Sequence, residues 1–434
     1  MAGLAMALCG CAGVTAADRG PRGDPVARLA ASTPSPWRED LGDPTLRGLL
    51  GKADAGALDI KVALARLERA DAEVEAADAV RGVNAIAGIE AAVGGRTFHA
   101  AGSAATPTLE FTKDLDVWGR LGFARQAARS ERDAATTDAA GVRLLVGAQT
   151  ARTYLSFRAA RDAEAGAIRR RELAEQALEL VTERAARGTA AQRDVAARRE
   201  AVRAAAAEVQ QCQDDAGLQA ARLGDLTGGR SEIAPSVGPL PVGPPPGPTP
   251  SAVVDARPDV QAAWARLAAA DQRRASAIAA SRPQFQIAAA FGAPDAAIAT
   301  LLDLRALAWA VAANVSHQIL DGGARRAGIH AATAEADLAD LAYRQTVLNA
   351  WSEVRRAIVA DAEARRGLDA AQAAAAAAGA ALRAGEARHA AGAADGLAMV
   401  ELTGAAAQAS QGVSEARRRV AEARIELALA RGGG

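Results

Sequence analysis

Residues 59–71 read DIKVALARLERAD, and residues 259–271 read DVQAAWARLAAAD. The two stretches share their aspartates and an Ala-Arg-Leu triplet at an offset of 200 residues, from 59 to 259. Outside them, the Leu-Asp pair at 115–116 recurs at 320–321, an offset of 205. Matches that keep their order over this length indicate that the chain contains a duplicated unit of about 200 residues.

Both halves contain the same order of elements: a helix, two strand-like segments, a very long helix, a glycine-containing turn and a return helix. In the first half the predicted segments are 40–80, 84–98, 106–117, 118–187 and 190–226. In the second half they are 255–281, 283–291, 308–320, 324–391 and 394–430. At ~1.5 Å per residue the first long helix spans about 105 Å, which a return helix and the next half's first helix match end to end. The lengths predict one continuous helix beside two stacked shorter ones.

Hydrophobic residues recur every seven positions in both return helices. In the first they are Val195, Val202, Val209, Ala216 and Leu223. In the second they are Met399, Ala406, Val413, Val420 and Leu427. A sustained seven-residue period favours left-handed supercoiling against a neighbouring helix. The fold is therefore predicted to be mainly α and built from coiled-coil pairs.

The strand-like segments alternate between apolar and polar residues. In 106–117, Leu109, Phe111 and Leu115 lie on one face, with threonines and acidic residues on the other. Alternation in segments of about ten residues is typical of a transmembrane β-barrel, although a half-buried soluble hairpin gives the same pattern. Four strands cannot close a barrel, and an open sheet edge is not tolerated in lipid. A membrane location therefore predicts either a dimer or a trimer.

The composition limits the possible functions. Lys plus Arg and Asp plus Glu both number 51, so the net charge is zero and nucleic-acid binding is not expected. Apolar residues make up 50% of the chain but aromatic residues only 3%, which suits closely packed alanine-rich helices rather than one large globular core. No stretch predicts a transmembrane helix. Without a nucleotide-binding, zinc-protease or nucleophile–base motif, we expect no enzyme activity, no cofactor and no metal site.

The duplication also predicts the domain boundaries. Residues 40–229 form the first structural repeat, and 255–434 form the second. Between them, 230–254 is a Pro-rich connector containing GPLPVGPPPGPTP, which cannot be helix or central strand. Before the repeats, 11–39 is an N-terminal tail and 1–10 is a signal peptide of the lipoprotein type.

The signal is carried by the residues before the second cysteine. Leu8 and Gly10, three positions and one position before Cys11, resemble the lipobox of bacterial lipoproteins. The resemblance implies that Cys11 becomes the lipidated first residue of the mature protein, carrying for example palmitate. The alternative is an ordinary apolar N-terminus.

Four longer stretches resemble the TolC-like outer-membrane efflux proteins, in particular the lipoprotein branch that serves resistance-nodulation-division pumps. They are DLDVWGR at 114–120, ARPDVQAAWARLAAADQR at 256–273, ILDGGARRAGIHAATAEADLADLAYRQTVLNAWSEV at 319–354, and EARHAAGAADGLAMVE at 386–401. The resemblance implies a homotrimer rather than a dimer. In it, a twelve-stranded β-barrel in the outer membrane, with four strands per chain, continues into a long α-helical barrel through the periplasm.

The same resemblance implies a function and partners. The protein would be a passive exit duct, lipid-anchored in the outer membrane, that receives drugs or other small molecules from an inner-membrane pump through a periplasmic adaptor (membrane fusion protein). Protein secretion or metal-ion efflux is an open alternative for the cargo. A periplasmic coiled-coil adaptor or scaffold lipoprotein is the alternative class of protein.

The turns between the long and return helices are the predicted site. In the family they lie at the closed periplasmic tip, where the channel opens and adaptor helices dock. Gly188 and Gly392 mark the two turns. The charged candidates for gating and docking are Arg184, Arg187, Arg193 and Asp194 in the first repeat, and Arg388, His389, Asp395 and Glu401 in the second. Asp395 leads them, because it follows the second turn directly. One carboxylate per subunit would form a ring that constricts a pore and favours cations.

Overall fold

The computed structural model describes residues 43–94, 102–229, 252–292 and 308–433. Four sequence predictions fall wholly or mostly outside the described residues. They are the signal peptide 1–10, the lipidation residue Cys11, the tail 11–39 and the connector 230–254, of which only the last three residues are described.

The two halves of the chain contain the same elements in the same order. The first half forms α1 (Pro44–Gly56), α2 (Leu58–Ala79), β1 (Asn84–Gly94), β2 (Gly102–Leu115), α3 (Arg120–Ala186) and α4 (Gln192–Thr227). The second half forms α5 (Ala252–Asp255), α6 (Pro258–Ala280), β3 (Gln284–Gly292), β4 (Ala308–Ser316), α7 (Ala324–Ala390) and α8 (Gly396–Ala430). Because α3 and α7 both contain 67 residues, they align end to end at an offset of 204, from 120 to 324. The predicted order of helices and strands is confirmed in both repeats.

The prediction of a single first helix over 40–80 is wrong, because the segment forms two helices that meet at Ala57. That residue leaves the helical conformation, with φ −61° and ψ 129°. Asp43 caps the start of α1, where its carboxylate accepts hydrogen bonds from the backbone N–H groups of Thr45 and Leu46. Gly56 ends α1 against the end of α4, where a Cβ would lie 2.4 Å from the carbonyl oxygen of Thr227. The break therefore accompanies a backbone contact that only glycine permits.

The four strands form one antiparallel sheet in chain order, β1-β2-β3-β4. The largest differences from the predicted strand boundaries are at β2, which begins at Gly102 rather than 106, and at β4, which ends at Ser316 rather than 320. The predicted continuation of β1 over residues 95–98 lies outside the described residues. β4 stops early because Asp321 and two glycines with positive φ, Gly322 and Gly323, already form the turn into α7.

The register places the apolar residues of neighbouring strands on one face of the sheet. Leu109 pairs with Phe291, and Phe291 pairs with Trp309. The same face carries Phe111, Leu115, Phe285, Ile287, Val311 and Val315. The opposite face carries Glu110, Thr112, Asp114, Gln284, Gln286 and Asn314. In the single chain the apolar face is open, since Trp309 is 73% exposed. The predicted alternation is therefore confirmed.

Each long helix runs beside shorter ones. α3 packs against α4 and α6, and α7 packs against α8 and α6. α3 also packs against α8 of the second repeat, which joins the two repeats. The predicted arrangement of one continuous helix beside two stacked shorter ones is confirmed.

The largest buried cluster joins both repeats around the middle of α3. It contains Leu46, Leu49, Leu50, Ala148, Ala151, Tyr154, Leu155, Phe157, Leu223, Ala421, Ile425 and Ala428. Its four alanines have no side chain beyond Cβ, so the helix axes can approach closely and still fill the space between them. Small residues therefore fill a third of this cluster, beside the aromatic side chains of Tyr154 and Phe157.

The heptad positions of the return helices face neighbouring helices. On α4, Val195, Val209, Ala216 and Leu223 are buried. On α8, Val420 and Leu427 are buried, and Val413 packs partly buried beside Val420. Within one chain, neighbouring helices therefore cover the heptad positions along most of α4 and along the C-terminal half of α8.

Among the described helices, none combines the length and the hydropathy needed to cross a membrane.

Candidate functional site

The first predicted turn ends α3 in a tight, hydrogen-bonded reversal. Gly188 has φ +75°, a left-handed conformation that glycine adopts without steric cost. Its N–H donates to the carbonyl of Ala185 at 3.0 Å, and the N–H of Thr189 donates to the carbonyl of Arg184 at 2.8 Å. This pair of bonds is a Schellman motif, which satisfies the last carbonyl groups of a helix.

The second turn repeats this geometry at the end of α7. Gly392 has φ +72°, and its N–H donates to the carbonyl of His389 at 2.9 Å. The N–H of Ala393 donates to the carbonyl of Arg388 at 2.8 Å. His389 adds one contact, because its Nδ1 lies 2.7 Å from the carbonyl oxygen of Ala394. Both glycines have open space where a Cβ would lie, so the conformation, and not crowding, selects glycine.

Asp395 has two partners directly after the second turn. Its Oδ1 accepts a 2.8 Å hydrogen bond from the N–H of Ala398 and so caps α8. Its Oδ2 lies 2.9 Å from the guanidinium of Arg184, in the last turn of α3. The backbone N–H of Ala398 and the Arg184 side chain together lower the pKa of Asp395 below its usual range. The structure therefore joins two predicted residues from different repeats.

The other predicted charges are distributed over local contacts. Arg187 pairs with Glu183 one turn earlier at 3.1 Å. Asp194 accepts a hydrogen bond from the N–H of Ala191 at 3.2 Å, and Arg193 lies 3.7 Å from the same carboxylate.

Two candidates remain, both from the second repeat. Glu401 of α8 reaches Arg198 of α4 at 3.5 Å. Arg388 contacts the carbonyl of Ala384 in its own helix at 3.4 Å. Among the predicted site residues, only Arg184, Asp395 and Glu401 thus form ion pairs to another helix.

Two further contacts continue the line of Arg184 and Asp395 upward between α3 and α8. Arg170 donates a hydrogen bond to the side chain of Gln411, and Arg152 lies 2.6 Å from Glu426. We call these three contacts, Arg184–Asp395, Arg170–Gln411 and Arg152–Glu426, the intra-chain seam. The sequence did not identify its upper two contacts, since each side chain resembles an ordinary exposed residue of a helix.

A buried arginine fixes the start of α6. The Arg257 guanidinium donates to the carbonyl oxygen of Ala430 at 2.8 Å, to Asp259 at 2.8 Å and to Glu353 at 2.7 Å. Burial disfavours the cation, but the hydrogen bonds to the two carboxylates outweigh it and raise the pKa of Arg257. The group ties α6 and α7 to the end of α8, and sequence patterns gave no sign of it.

A second buried group fixes α1 on α3. The carboxylate of Asp43 accepts a 2.8 Å hydrogen bond from the Tyr154 hydroxyl and lies 3.2 Å from Arg158. All three residues are buried. Because the charge is paired and hydrogen-bonded, it positions the start of the described chain without leaving an isolated buried ion.

The strand-to-helix junctions are capped by equivalent aspartates. Asp116 accepts hydrogen bonds from the N–H groups of Leu121 at 3.0 Å and Gly122 at 2.7 Å. Asp321 accepts from the N–H of Gly323 at 3.0 Å and from both the N–H and the side chain of Arg325. These donors lower the pKa of Asp321 to about 2. The Leu-Asp repeat that the sequence shows is therefore a capping device that directs each strand into a long helix.

No group of three or more His, Cys, Asp or Glu side chains in the described ranges is arranged to hold a metal ion. The site consists of helix ends, ion pairs and turns.

The model of one protein family, described as the outer membrane efflux protein, matches residues 49–229 and 249–433. Outer membrane protein OprJ of Pseudomonas aeruginosa is 28% identical over 389 residues, which cover 82% of this chain and 77% of the relative. The pyoverdine export outer membrane protein OpmQ of Pseudomonas putida is 27% identical over 359 residues, which cover 77% and 74%.

Solved structures share the fold over almost the full length. The outer-membrane channel OprN superimposes with a TM-score of 0.82 at 25% identity, covering 92% of this chain and 93% of that one. CusC superimposes with a TM-score of 0.83, covering 94% and 96%, at 19% identity. VceC of Vibrio cholerae gives 0.81, covering 92% and 99%, at 22% identity. CusC and VceC support the fold alone.

Proposed function

The chain belongs to the outer membrane efflux protein family, and we propose that it forms the exit duct of a tripartite efflux system. In this system small molecules such as drugs leave an inner-membrane pump, enter a homotrimer of this chain through a periplasmic adaptor, and pass out of the cell without further energy input. The duct performs no chemistry, so its function depends on shape and charge.

One observation carries the proposal. The four-stranded sheet with its open apolar face continues directly into two 67-residue helices. At ~1.5 Å per residue these helices extend about 100 Å from the sheet. An apolar strand face suits lipid, and long paired helices suit a conduit away from it. A periplasmic coiled-coil adaptor has no need of such a sheet, which favours the duct.

The duplication supports assembly with further copies of the chain. On α3, Ala134 and Leu155 are 1% exposed. The equivalent residues on α7, at the offset of 204, are Leu338 and Val359, which are 65% and 55% exposed. α6 covers α3 near Ala134, since Arg273 of α6 lies 2.8 Å from Glu131, and α8 covers Leu155. On α7, the equivalent positions are exposed in the single chain, so the helices that bury them would have to come from another copy.

The matching surface lies on α2. Leu58 is 74% exposed and Val62 is 48% exposed. Their equivalents on α6, at the offset of 200, are Pro258, which is half-buried, and Ala262, which is buried. In a ring of copies, α2 and α4 of one subunit would cover α7 of the next, as α6 and α8 cover α3 within the chain. Three copies would supply the twelve strands that the family resemblance implies.

The turns at the far end of the long helices would form the gate and the adaptor-docking surface. Gly188 and Gly392 are both open to their surroundings, and Arg184 with Asp395 holds the end of α3 against the start of α8. Because the Arg184–Asp395 ion pair lies between helix ends, it can break while the Arg170–Gln411 and Arg152–Glu426 contacts above it remain. Full opening of the gate would therefore include separation of α3 and α8 at the tip.

Two experiments test the proposal: locating the protein in the cell, and deleting its gene. Membrane fractionation with an epitope-tagged chain should place it in the outer membrane as a trimer. Deletion should increase susceptibility to at least one class in a panel of drugs, dyes and metal salts, and reintroduction of the gene should reverse the effect. A trimer in the soluble periplasmic fraction would contradict the duct. A response confined to metal salts, or a loss of secreted proteins alone, would reassign the cargo.

A further inference from the structure

Three cations lie at the end of the sheet that joins the helices. Arg81 follows α2, Arg282 follows α6, and Lys113 lies near the end of β2. Both repeats place an arginine two residues after the last residue of the incoming helix, Ala79 or Ala280. None of the three cations has a carboxylate partner among the described residues, although the chain carries equal numbers of acidic and basic side chains.

The acidic residues at this end of the sheet are engaged elsewhere. Asp114 accepts a 3.2 Å hydrogen bond from Gln286 and pairs with Arg120 at 3.5 Å. Asp116 caps α3. Asp114 also lies on the polar face of β2, while Lys113 lies on the apolar face between Phe111 and Leu115. The apolar face therefore ends in positive charge that no described residue of its own chain neutralises.

Lys113 is oriented as expected for a cation at the edge of an apolar layer. Its Nζ donates a 3.1 Å hydrogen bond to the carbonyl of Arg81, which lies beyond the end of α2. The aliphatic stem thus follows the apolar face while the ammonium group reaches the end of the sheet, the behaviour called snorkelling.

Trp118 adds an amphipathic ring on the other side of β2. The indole N–H donates to the carbonyl of Pro283 at 2.9 Å, and the Arg282 guanidinium lies 5.7 Å from the ring centre. The indole is 43% exposed. Large exposed apolar side chains surround this level of the molecule: Val80, Val83, Val117, Ile319 and Leu320.

We propose that Arg81, Lys113, Trp118 and Arg282, which we call the collar, bind the headgroups of anionic phospholipids in the leaflet that faces the periplasm. Unneutralised cations and an indole beside exposed apolar side chains match a ligand that carries both a phosphate and acyl chains. Free phosphate would leave the apolar part of the surface exposed. The inference rests on the proposed function, because it requires the sheet to lie in the outer membrane.

The experiment compares bound lipid in variants purified from outer membranes in mild detergent. The wild-type trimer and the variant Arg81→Gln/Lys113→Gln/Arg282→Gln are analysed by native mass spectrometry, and by titration with nanodiscs containing phosphatidylglycerol or only phosphatidylcholine. The wild type should retain anionic phospholipid and prefer phosphatidylglycerol, and the triple variant should lose most of both properties. The single variant Lys113→Gln leaves both arginines in place and should lose part of the retained lipid, which keeps the test valid if the triple variant assembles poorly.

A control variant carries the same charge change on exposed helix positions, Lys61→Gln/Arg199→Gln/Arg366→Gln, and should keep the lipid. Equal lipid retention by wild type and collar variants, with both in the outer-membrane fraction, would overturn the collar and leave the duct intact. Binding of inorganic phosphate without preference among phospholipids would overturn the assignment to a membrane surface. Absence of the wild type itself from the outer-membrane fraction would overturn the proposed function, and the collar with it.

Discussion

The guanidinium of Arg184 lies 2.9 Å from the carboxylate of Asp395, across the gap between the end of α3 and the start of α8. The same carboxylate caps α8 through the N–H of Ala398. One side chain therefore both caps the start of α8 and joins the two repeats at the end of the molecule. Substitutions can separate these two roles.

Asp395→Asn should open the tip without unfolding it. Asparagine caps a helix about as well as aspartate, but it carries no charge to hold Arg184. We expect a higher single-channel conductance in planar bilayers than for the wild type. Asp395→Ala also loses the cap and should open further. Arg193→Gln is the control, because Arg193 is exposed and its nearest carboxylate, that of Asp194, lies 3.7 Å away. This variant should leave conductance unchanged. Equal conductance for wild type and Asp395→Asn would remove the pair from the gate.

Acid should open the same tip. The pKa of Asp395 is lowered in the folded protein, so the contribution of its charge is fully present above the ordinary carboxyl pKa of about 4. It is lost as the pH falls through the lowered value. Conductance should therefore stay constant between about pH 7 and pH 5 and rise below about pH 4. Asp395→Asn should show a high, pH-independent level over this range, whereas a wild-type-like acid response in that variant would assign the effect to another carboxylate.

Asp321 should contribute to acid stability at the other end of the long helix. Its pKa is about 2 in the folded chain, below the ordinary value of about 4. Its stabilising contribution is complete above about pH 4 and is lost between about pH 4 and pH 2. Thermal unfolding of the detergent-solubilised trimer should show Asp321→Asn to be less stable than the wild type at pH 7, with the difference vanishing near pH 2. A difference that persists unchanged at that pH would point to lost packing instead.

Gly56→Ala should destabilise the contact between α1 and α4. A Cβ at this position would lie 2.4 Å from the carbonyl oxygen of Thr227, so backbone must move, at a cost of about 1–3 kcal/mol. Gly217→Ala is the matched control, because its Cβ would meet nothing within 4 Å. Inside a helix it should instead stabilise by up to about 1 kcal/mol. Denaturant unfolding measures both, and equal effects of the two substitutions would contradict the close approach.

Leu338→Glu should prevent assembly. Leu338 is 65% exposed in the single chain, at the position where the first repeat buries Ala134. A carboxylate there would be buried without a partner when another chain covers α7. Light scattering of the solubilised protein should show monomers in place of trimers. Ala373→Glu is the control, because its equivalent, Arg169, is exposed and should stay so in the assembly. A stable trimer of Leu338→Glu would place the subunit interface elsewhere.

The long-range architecture could be predicted because it produces periodic patterns in the sequence. The seven-residue repeats gave the return helices, the strand alternation gave the two faces of the sheet, and Gly188 and Gly392 gave the turns. Each of these signals is local, and the duplication doubled it. The single predicted helix over 40–80 failed because its break lies beside a close backbone contact between Gly56 and Thr227, which are far apart in the sequence.

The site was only partly accessible to sequence reasoning for the same reason. Asp395 could be proposed from its place after a turn, but its partner Arg184 is fixed by packing between repeats. Arg257 and Asp43 resemble common residues at helix starts, and their burial depends on α7, α8 and α3. Contacts of this kind leave no period in the sequence, so only the folded chain reveals them.

In a trimer, α3 and α7 of the three chains would give six long helices around the tube. The intra-chain seam implies that the joints beside these helices are not equally strong. At the offset of 204, Arg184 and Asp395 correspond to Arg388 and Ala191, and Arg170 and Gln411 correspond to Ala374 and Ala207. In the proposed trimer, the equivalent joints between neighbouring chains would therefore lack these two polar contacts. We expect an opening tube to part first along three alternate joints, so that its mouth becomes triangular before it becomes round. Cargo would meet a threefold aperture, with its corners between subunits.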